Sequence, residues 1–194
     1  MPSAAPVPPA VVQAYALPPG CRMEPLGTGL INTTWKIVTD AGSYVLQQVN
    51  LRVFPEPERI HANLRMLRDY LQVHAPVYPF ITPLPAVNGT DLLRLVDGRV
   101  FRLFPFVEGS HTLTVVATPE QAYEAAFQFG RFTALCDGFD ASRLQVILPD
   151  FHHLSLRYEQ FLQSLRTGNS LRIARAKVLI EELLRKEGLV QQYR

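Results

Sequence analysis

Residues 27–35, GTGLINTTW, and residues 43–50, SYVLQQVN, carry the clearest local pattern in the sequence. A glycine pair and small polar residues lead into a strand-type run, which the turn Asp40-Ala41-Gly42 connects to a second strand-type run. This pattern predicts an antiparallel hairpin with a glycine-bearing loop before it. Two interpretations of the loop stay open here. Its backbone N–H groups bind a phosphate, or its glycines serve only to reach positive φ.

The residues around this hairpin predict a small antiparallel sheet with one long helix inserted. Strand-type runs cover residues 22–26, 33–38 and 44–49. Pro55 and Pro57 then precede apolar residues at helical spacing, which predicts a helix over residues 57–71.

Further along the chain, the pattern changes from strands to helices. Residues 86–106 predict a three-strand meander with turns at Asn88-Gly89 and Asp97-Gly98. Thr118, followed by Pro119 and Gln121, is typical of a capping box, so we expect a helix from this point to Cys136 or Asp137. Two more helices are expected, over residues 151–165 and 171–186.

These elements predict an α+β fold with a sheet lobe and a helical lobe that border a ligand cleft. The expected organisation is an N-terminal extension over residues 1–20, a β-rich lobe over 21–106, a connector over 107–117 and a helical lobe over 118–194.

Composition excludes several classes of protein. The 19 basic and 17 acidic side chains give a net charge of +2, which does not favour a nucleic-acid binder. No apolar run reaches the roughly 18–20 residues of a membrane span, and the first residues lack the features of a secretory signal. The two cysteines are too far apart for a zinc motif and suit free thiols. We therefore expect a cytoplasmic protein that binds neither nucleic acid nor membrane.

Six segments, in this order, carry a family resemblance: GTGLINTTW, SYVLQQVN, VFPEPERIHANLRML, VFRLFPFVEGS, FGRFTALCDGF and PDFHHLSLRYEQFL. With them the chain resembles the aminoglycoside phosphotransferase and choline kinase superfamily, and within it the branch around N-acetylhexosamine 1-kinase. The resemblance implies a protein-kinase-like fold, with an antiparallel β-sheet lobe that includes one long helix, and the first helices of an incomplete helical lobe.

The resemblance also implies a nucleotide site. ATP would lie between the lobes beneath the loop joining the first two strands, where Gly27, Thr28, Gly29 and Asn32 would surround the phosphates. A glycine there lets the backbone approach the phosphates closely.

The rest of the implied site comes from the third strand and from the connector. Val45 would contact adenine, and Gln47 would occupy the position of the family's phosphate-pairing lysine. Phe104 and Phe106 would lie near the adenine ring. Because Pro105 has no N–H, the donor to adenine would be Phe106 or Val107.

Gln47 departs from the family pattern because it carries no positive charge. We consider Lys36 and Arg52 as substitute cations. The long helix would supply the usual glutamate partner of the lysine, and Glu58 or Asn63 are placed to hydrogen-bond Gln47 instead. Both also suit a purely structural role, as a charge at the helix start and as a solvated polar residue.

In the family that this chain resembles, a loop with the pattern His-x-Asp supplies the catalytic aspartate of phosphoryl transfer. This sequence contains no His-x-Asp and so offers no candidate for that residue. Asp137-Gly138-Phe139 suits a turn after a helix, Asp150 suits a helix cap, and adjacent positions 152 and 153 on a helix cannot place two histidines on one metal ion. We therefore expect no catalytic residue in this chain, a truncation before the catalytic loop, and Mg²⁺ ligands beyond residue 194.

The function expected from the resemblance is that of an ATP-dependent kinase, incomplete and inactive alone, whose acceptor is a hydroxyl of a sugar or amino sugar. A choline- or homoserine-type kinase and a non-catalytic module that binds a nucleotide or a partner remain alternatives. The many apolar residues after position 118 would expose a helical face that favours a homodimer.

Overall fold

The computed structural model describes residues 6–27 and 31–193. The chain divides into two compact units, Met1–Ile147 and Leu148–Arg194. Within the described residues, the first unit contains the β-sheet and three α-helices, and the second contains four helices. The connector expected from the sequence, residues 107–117, stays a prediction.

The elements have the following bounds in the first unit: α1 Pro9–Ala14, β1 Arg22–Pro25, β2 Thr33–Thr39, β3 Gly42–Val49, α2 Pro57–His74, β4 Leu93–Arg94, β5 Val100–Pro105, α3 Pro119–Leu135 and a 3₁₀ turn Ala141–Arg143. The helices of the second unit are α4 Leu154–Thr167, α5 Ser170–Arg175, α6 Lys177–Leu184 and α7 Glu187–Tyr193. The predicted α+β class is confirmed.

The five strands form one antiparallel sheet in the order β1-β2-β3-β5-β4. The three predicted strands before α2 are confirmed to within a few residues. The predicted meander over residues 86–106 was wrong in its first strand, because no strand precedes the Asn88-Gly89 turn and the nearest sheet contact is a single bridge from Leu84 to Leu103. The Asn88-Gly89 turn forms, with the Gly89 N–H donating to Ala86 O, but no ladder extends from it.

The main hydrophobic cluster lies on one face of the sheet, beneath the N-terminal segment. Trp35, Leu46 and Phe101 come from three neighbouring strands and are buried together. The rings of Trp35 and Phe101 lie 6.5 Å apart. Val11 and Tyr15 cover this face, and the Tyr15 hydroxyl donates to the Phe101 carbonyl at 3.3 Å. The short N-terminal helix is therefore an integral part of the core.

Helix α2 begins at Pro57, as the proline pair predicts, and Glu58 lies in its first turn. Leu71, from the predicted apolar stripe, is buried. The other deeply buried side chain beyond the first residue of α2 is His61, which is only 4% exposed. A titratable side chain therefore occupies a position of the helix where an apolar residue is expected.

Helix α3 begins with the predicted capping box. The Thr118 hydroxyl accepts from the Gln121 N–H at 3.4 Å, and Gln121 Oε1 accepts from the Ala117 N–H at 2.8 Å. The helix has no buried residue, and Tyr123, Phe127 and Phe129 are exposed. The exposed helical face expected from the sequence is thus present, while the homodimer stays a prediction.

Removing the Thr118 cap should cost about 1 kcal/mol in the free energy of unfolding, because Thr118→Ala leaves the Gln121 N–H without its partner. Urea unfolding followed by helical circular dichroism measures the change. Thr112→Ala is the control, since Thr112 is exposed outside any helix or strand. Equal stability of the two variants would contradict a stabilising cap.

The second unit corrects two further predictions. The single helix expected over residues 171–186 is broken at Ala176, where φ is −94° and ψ is 8° and the N–H bonds to both Arg172 O and Ile173 O. Such bifurcated bonding tightens the last turn and ends a helix. Asp150 does not cap α4, because His153 is the N-cap and its Nδ1 accepts from the Leu156 N–H at 3.1 Å.

Helix α4 ends at a glycine for a steric reason. A Cβ on Gly168 would lie 2.4 Å from the Ser164 carbonyl oxygen, so only glycine fits at this position.

Among the residues that the structure describes, no helix combines the length and the apolar character needed to cross a lipid bilayer.

Candidate functional site

The face of the sheet opposite the core carries two rows of side chains that are neither fully buried nor fully exposed. Directly paired residues of antiparallel strands share a face, and the face alternates along each strand. The pairs Lys36–Val45 and Val45–Phe104 form one row, and Thr34–Gln47 and Gln47–Arg102 form the other. We call this surface the half-open face, and it consists of Thr34, Lys36, Val45, Gln47, Arg102 and Phe104.

Gln47 is bonded to an arginine on the neighbouring strand. Arg102 Nε and Nη2 both donate to Gln47 Oε1, at 3.0 and 2.9 Å. Gln47 Nε2 donates to Thr34 Oγ1 at 3.5 Å, and the Arg102 guanidinium carbon lies 5.1 Å from the centre of the Phe104 ring. A positive charge is therefore present beside the position where the sequence lacks a lysine.

Neither of the two cations considered from the sequence contacts Gln47 in the described residues. Lys36 lies in the row of Val45 and Phe104, and its Nζ lies 3.7 Å from the centre of the Phe106 ring. Arg52 lines a cavity of about 680 Å³ at the end of the sheet, with Thr33, Asn50 and Asp97. The cation that bonds to Gln47 is Arg102. Strand alternation from Phe104 was the signal that could have identified it, because Arg102 lies two residues earlier and so on the same face.

The start of the connector offers one backbone donor. The Phe106 N–H already donates to the Ser43 carbonyl at 3.1 Å, which extends the pairing of β3 and β5. The Val107 N–H has no partner among the hydrogen bonds of the described residues, and the side chain is half exposed. Of the two donors considered from the sequence, Val107 is therefore the one available to a ligand.

The glycine loop is described only at its two ends. Gly27 has φ +71°, a left-handed conformation that favours glycine, and no atom lies within 4 Å of where its Cβ would be. Thr28 and Gly29 lie outside the described residues. At the other end, Asn32 Oδ1 accepts from the Asn50 N–H at 3.0 Å, so this side chain ties the loop to the turn after β3.

Helix α2 does not supply the partners of Gln47 that the sequence suggested. Glu58 forms an ion pair with Arg94, which lowers the pKa of this glutamate. Asn63 forms two reciprocal hydrogen bonds with the backbone of Gln145, each 2.9 Å long. Both side chains therefore have structural roles at the edges of the unit.

The α2 side chain that lies near Arg102 is His61, which the sequence analysis missed. Burial lowers the pKa of His61 to about 4, and the positive charge of Arg102 contributes to the decrease. The carboxylates of Asp91 and Glu58 act in the opposite direction, and Arg65 adds to the decrease. Both ring nitrogens are buried without a hydrogen-bond partner among the described residues. His61 is therefore neutral near pH 7.

The acidic groups of the described chain do not form a metal site. Asp137-Gly138-Phe139 follows α3 as a turn, in which Gly138 has φ +88° and the Asp137 carbonyl accepts from the Tyr70 hydroxyl. Within the described ranges, no three His, Cys, Asp or Glu side chains are grouped so that they can hold a metal ion. The described residues therefore contain no cluster of three such ligands for the Mg²⁺ ion that the resemblance implies.

The family model described as "Phosphotransferase enzyme family" matches residues 22–192, which is most of the chain. Among solved structures, a spectinomycin phosphotransferase in complex with ADP and spectinomycin matches 95% of this chain and 57% of its own, with 12% identity and a TM-score of 0.54. A microcompartment-associated aminopropanol kinase matches 74% of this chain and 44% of its own, with 16% identity and a TM-score of 0.50. The chain thus spans about half the length of these structures, and the likeness shows a shared fold.

Proposed function

Because this chain belongs to the phosphotransferase enzyme family, we propose that it binds ATP on the half-open face and provides the nucleotide-binding part of a small-molecule kinase. The observation that carries the proposal is the pairing of β3 with β5. It places Val45 beside Phe104, Gln47 beside Arg102, and the available Val107 N–H just beyond the strand end.

In this proposal each part of the nucleotide meets groups of suitable chemistry. Val45, Phe104 and Phe106 offer apolar and aromatic surface to adenine, and the Val107 N–H offers a hydrogen bond to a ring nitrogen. Gln47 and the loop that begins at Gly27 lie toward the phosphates. Thr28, Gly29 and Asn32 belong to the same loop, and in this proposal they bind the phosphates together with Gly27.

We further propose a hydroxyl of a sugar or amino sugar as the acceptor, as in the N-acetylhexosamine 1-kinase branch. The solved relatives support a small molecule as the acceptor class, since one is a spectinomycin phosphotransferase and the other an aminopropanol kinase. The proposal assigns no residue of this chain to activation of the acceptor or to Mg²⁺, since the sequence has no His-x-Asp and the described residues hold no cluster of three metal ligands.

Filling the proposed adenine position should weaken nucleotide binding at least tenfold, equivalent to about 1.4 kcal/mol. In Val45→Trp the indole would occupy the space beside Phe104, so ATP and adenosine should both lose affinity. Isothermal titration calorimetry measures the two dissociation constants. Val96→Trp is the matched control, because Val96 is fully exposed in the turn between β4 and β5.

Two results of this titration would contradict the proposal. One is the absence of measurable ATP binding to the unmodified chain. The other is an ATP affinity in Val45→Trp equal to that of Val96→Trp, which would place the nucleotide elsewhere or make its binding unspecific.

A further inference from the structure

Arg102 differs from most arginines of the first unit in its partner. Six others each lie within 4 Å of a carboxylate oxygen: Arg22, Arg59, Arg65, Arg68, Arg94 and Arg99. The side-chain hydrogen bonds of Arg102 go instead to the neutral amide oxygen of Gln47. Among the described residues, no carboxylate forms an ion pair with this guanidinium.

Because Gln47 is neutral, the positive charge of Arg102 has no opposite charge beside it, and its side chain is partly removed from water. Burial lowers the pKa of Arg102, although an arginine stays protonated in proteins. Taking a cation out of water is costly unless an opposite charge or several hydrogen bonds compensate it. One amide oxygen accepts two of the five N–H bonds, so an anion that reached the half-open face would be strongly favoured beside Arg102.

The environment of Arg102 keeps this charge available. The buried α2 side chain near Arg102 is His61. Because His61 is neutral, it supplies no negative charge that would compensate the charge of Arg102. The two acidic residues that act on His61 both have other partners, since Glu58 is paired with Arg94 and Asp91 with Arg65. The two ring nitrogens of His61 also have no hydrogen-bond partner in the described chain, so unsatisfied polar groups lie on this side of Arg102.

The donor geometry of Arg102 suits a phosphate. Gln47 accepts from Nε and Nη2, which lie on one edge of the guanidinium plane. No hydrogen bond of the described residues uses Nη1, whose two N–H bonds point away from that edge. A planar group with free donors on one side matches the oxygens of a phosphate.

We propose that Arg102 binds the phosphates of the nucleotide and that Gln47 positions its guanidinium for this contact. The inference rests on the proposed ATP site and assigns the cation of that site to β5 instead of β3. The ligand chemistry is a nucleoside di- or triphosphate, and adenosine alone would gain nothing from Arg102.

The test compares ATP, ADP and adenosine by isothermal titration calorimetry on the whole chain. Arg102→Gln should weaken ATP and ADP binding by about 10- to 100-fold, the effect of one charge-assisted contact of roughly 1.5–3 kcal/mol. Adenosine binding should stay within twofold. Arg99→Gln is the control, since Arg99 lies three residues earlier on the same hairpin and pairs with Asp97 at an exposed site. This control should bind all three ligands like the unmodified chain.

A second variant tests the charge itself. In the Arg102→Gln background, Gln47→Lys returns a cation to the neighbouring position on β3, and we expect ATP affinity to recover at least fivefold. A purely structural role of Arg102 would lower ATP and adenosine binding together and would not respond to Gln47→Lys. Either of those results overturns the inference.

The outcomes also separate this inference from the proposed function. If the unmodified chain binds ATP more tightly than adenosine, and Arg102→Gln leaves that preference unchanged, the nucleotide site stands and the role of Arg102 is wrong. If the unmodified chain binds no nucleotide, the proposed function fails and the inference fails with it.

Discussion

Replacing Phe101 with alanine should lower the free energy of unfolding of the first unit by about 3–5 kcal/mol, the largest stability loss we expect from one substitution in this chain. Phe101 is fully buried on β5, beside the central strand β3. Its ring lies 6.5 Å from that of Trp35 on β2, the strand on the other side of β3, and its carbonyl accepts from the Tyr15 hydroxyl. Its removal leaves a cavity between the sheet and the N-terminal segment that surrounding backbone cannot fill.

Urea unfolding measured by the fluorescence of Trp35 reports this loss. Trp35 is the single tryptophan of the sequence and is buried in the same cluster, so its signal belongs to the first unit. Circular dichroism provides a second signal, because the substitution also changes the surroundings of the indole.

Phe104→Ala is the matched comparison, since the two phenylalanines lie on opposite faces of β5. Phe104 is only partly buried, so its loss should cost no more than about 2 kcal/mol while it weakens adenosine and ATP binding. If Phe104→Ala destabilised the unit as much as Phe101→Ala, both faces would belong to the core. The half-open face would then offer no surface to a nucleotide.

The sequence was most informative where local rules decide the structure. The hairpin of β2 and β3, the start of α2 at Pro57 and the capping box at Thr118 all depend on residues within a few positions of one another. Turn propensity, a proline at the first helical position and a hydroxyl cap each act over that range, and these elements were predicted correctly.

The errors arise where the presence of local signals does not decide the outcome. Residues 86–92 carry a good turn, but the sheet bridge nearby is made by Leu84 with Leu103, just before this segment, and no ladder forms. The helix expected over residues 171–186 has continuous helical propensity, and a tightened turn at Ala176 still breaks it. Helix propensity is therefore a weak prior for where a helix ends.

The residues of the candidate site divide in the same way, into those that a local pattern identifies and those that only the fold brings together. Val45 and Gln47 follow from strand alternation within β3, whereas the partner of Gln47 lies 55 residues away on β5. Alternation along β5 places Arg102 on the face of Phe104, and the register of β3 with β5 then places it in the same row as Gln47. A search for a substitute cation near Gln47 in the sequence therefore favoured Lys36 and Arg52, which the fold places elsewhere.

Lowering the pH from 6.5 to 4 should cost the first unit up to about 3 kcal/mol through His61 alone. In the folded chain burial lowers the pKa of His61 to about 4, compared with an ordinary value of 6.5. Between these values the unfolded chain binds the proton and the folded chain does not, so stability rises with pH across this window. The contribution is fully present above pH 6.5 and is lost as the pH falls toward 4.

His61→Leu tests this origin of the pH dependence. The variant removes two buried nitrogens that have no hydrogen-bond partner in the described chain, so it should be at least as stable as the unmodified chain at pH 7. Its advantage should grow by about 2 kcal/mol between pH 7 and pH 4.5, because the leucine cannot take up a proton. Urea unfolding at half-unit steps of pH, followed by Trp35 fluorescence, measures both curves.

The charges around His61 define the control for this experiment. Arg102 and Arg65 oppose its protonation, and Asp91 and Glu58 favour it. Carboxylates elsewhere in the unit also titrate at low pH, and they contribute equally to the unmodified chain and to His61→Leu. His111→Gln replaces an exposed histidine and should leave the unmodified curve unchanged. Parallel curves for His61→Leu and the unmodified chain between pH 4 and 6.5 would show that His61 takes up its proton as readily in the folded state as in the unfolded state, which would contradict its burial beside Arg102.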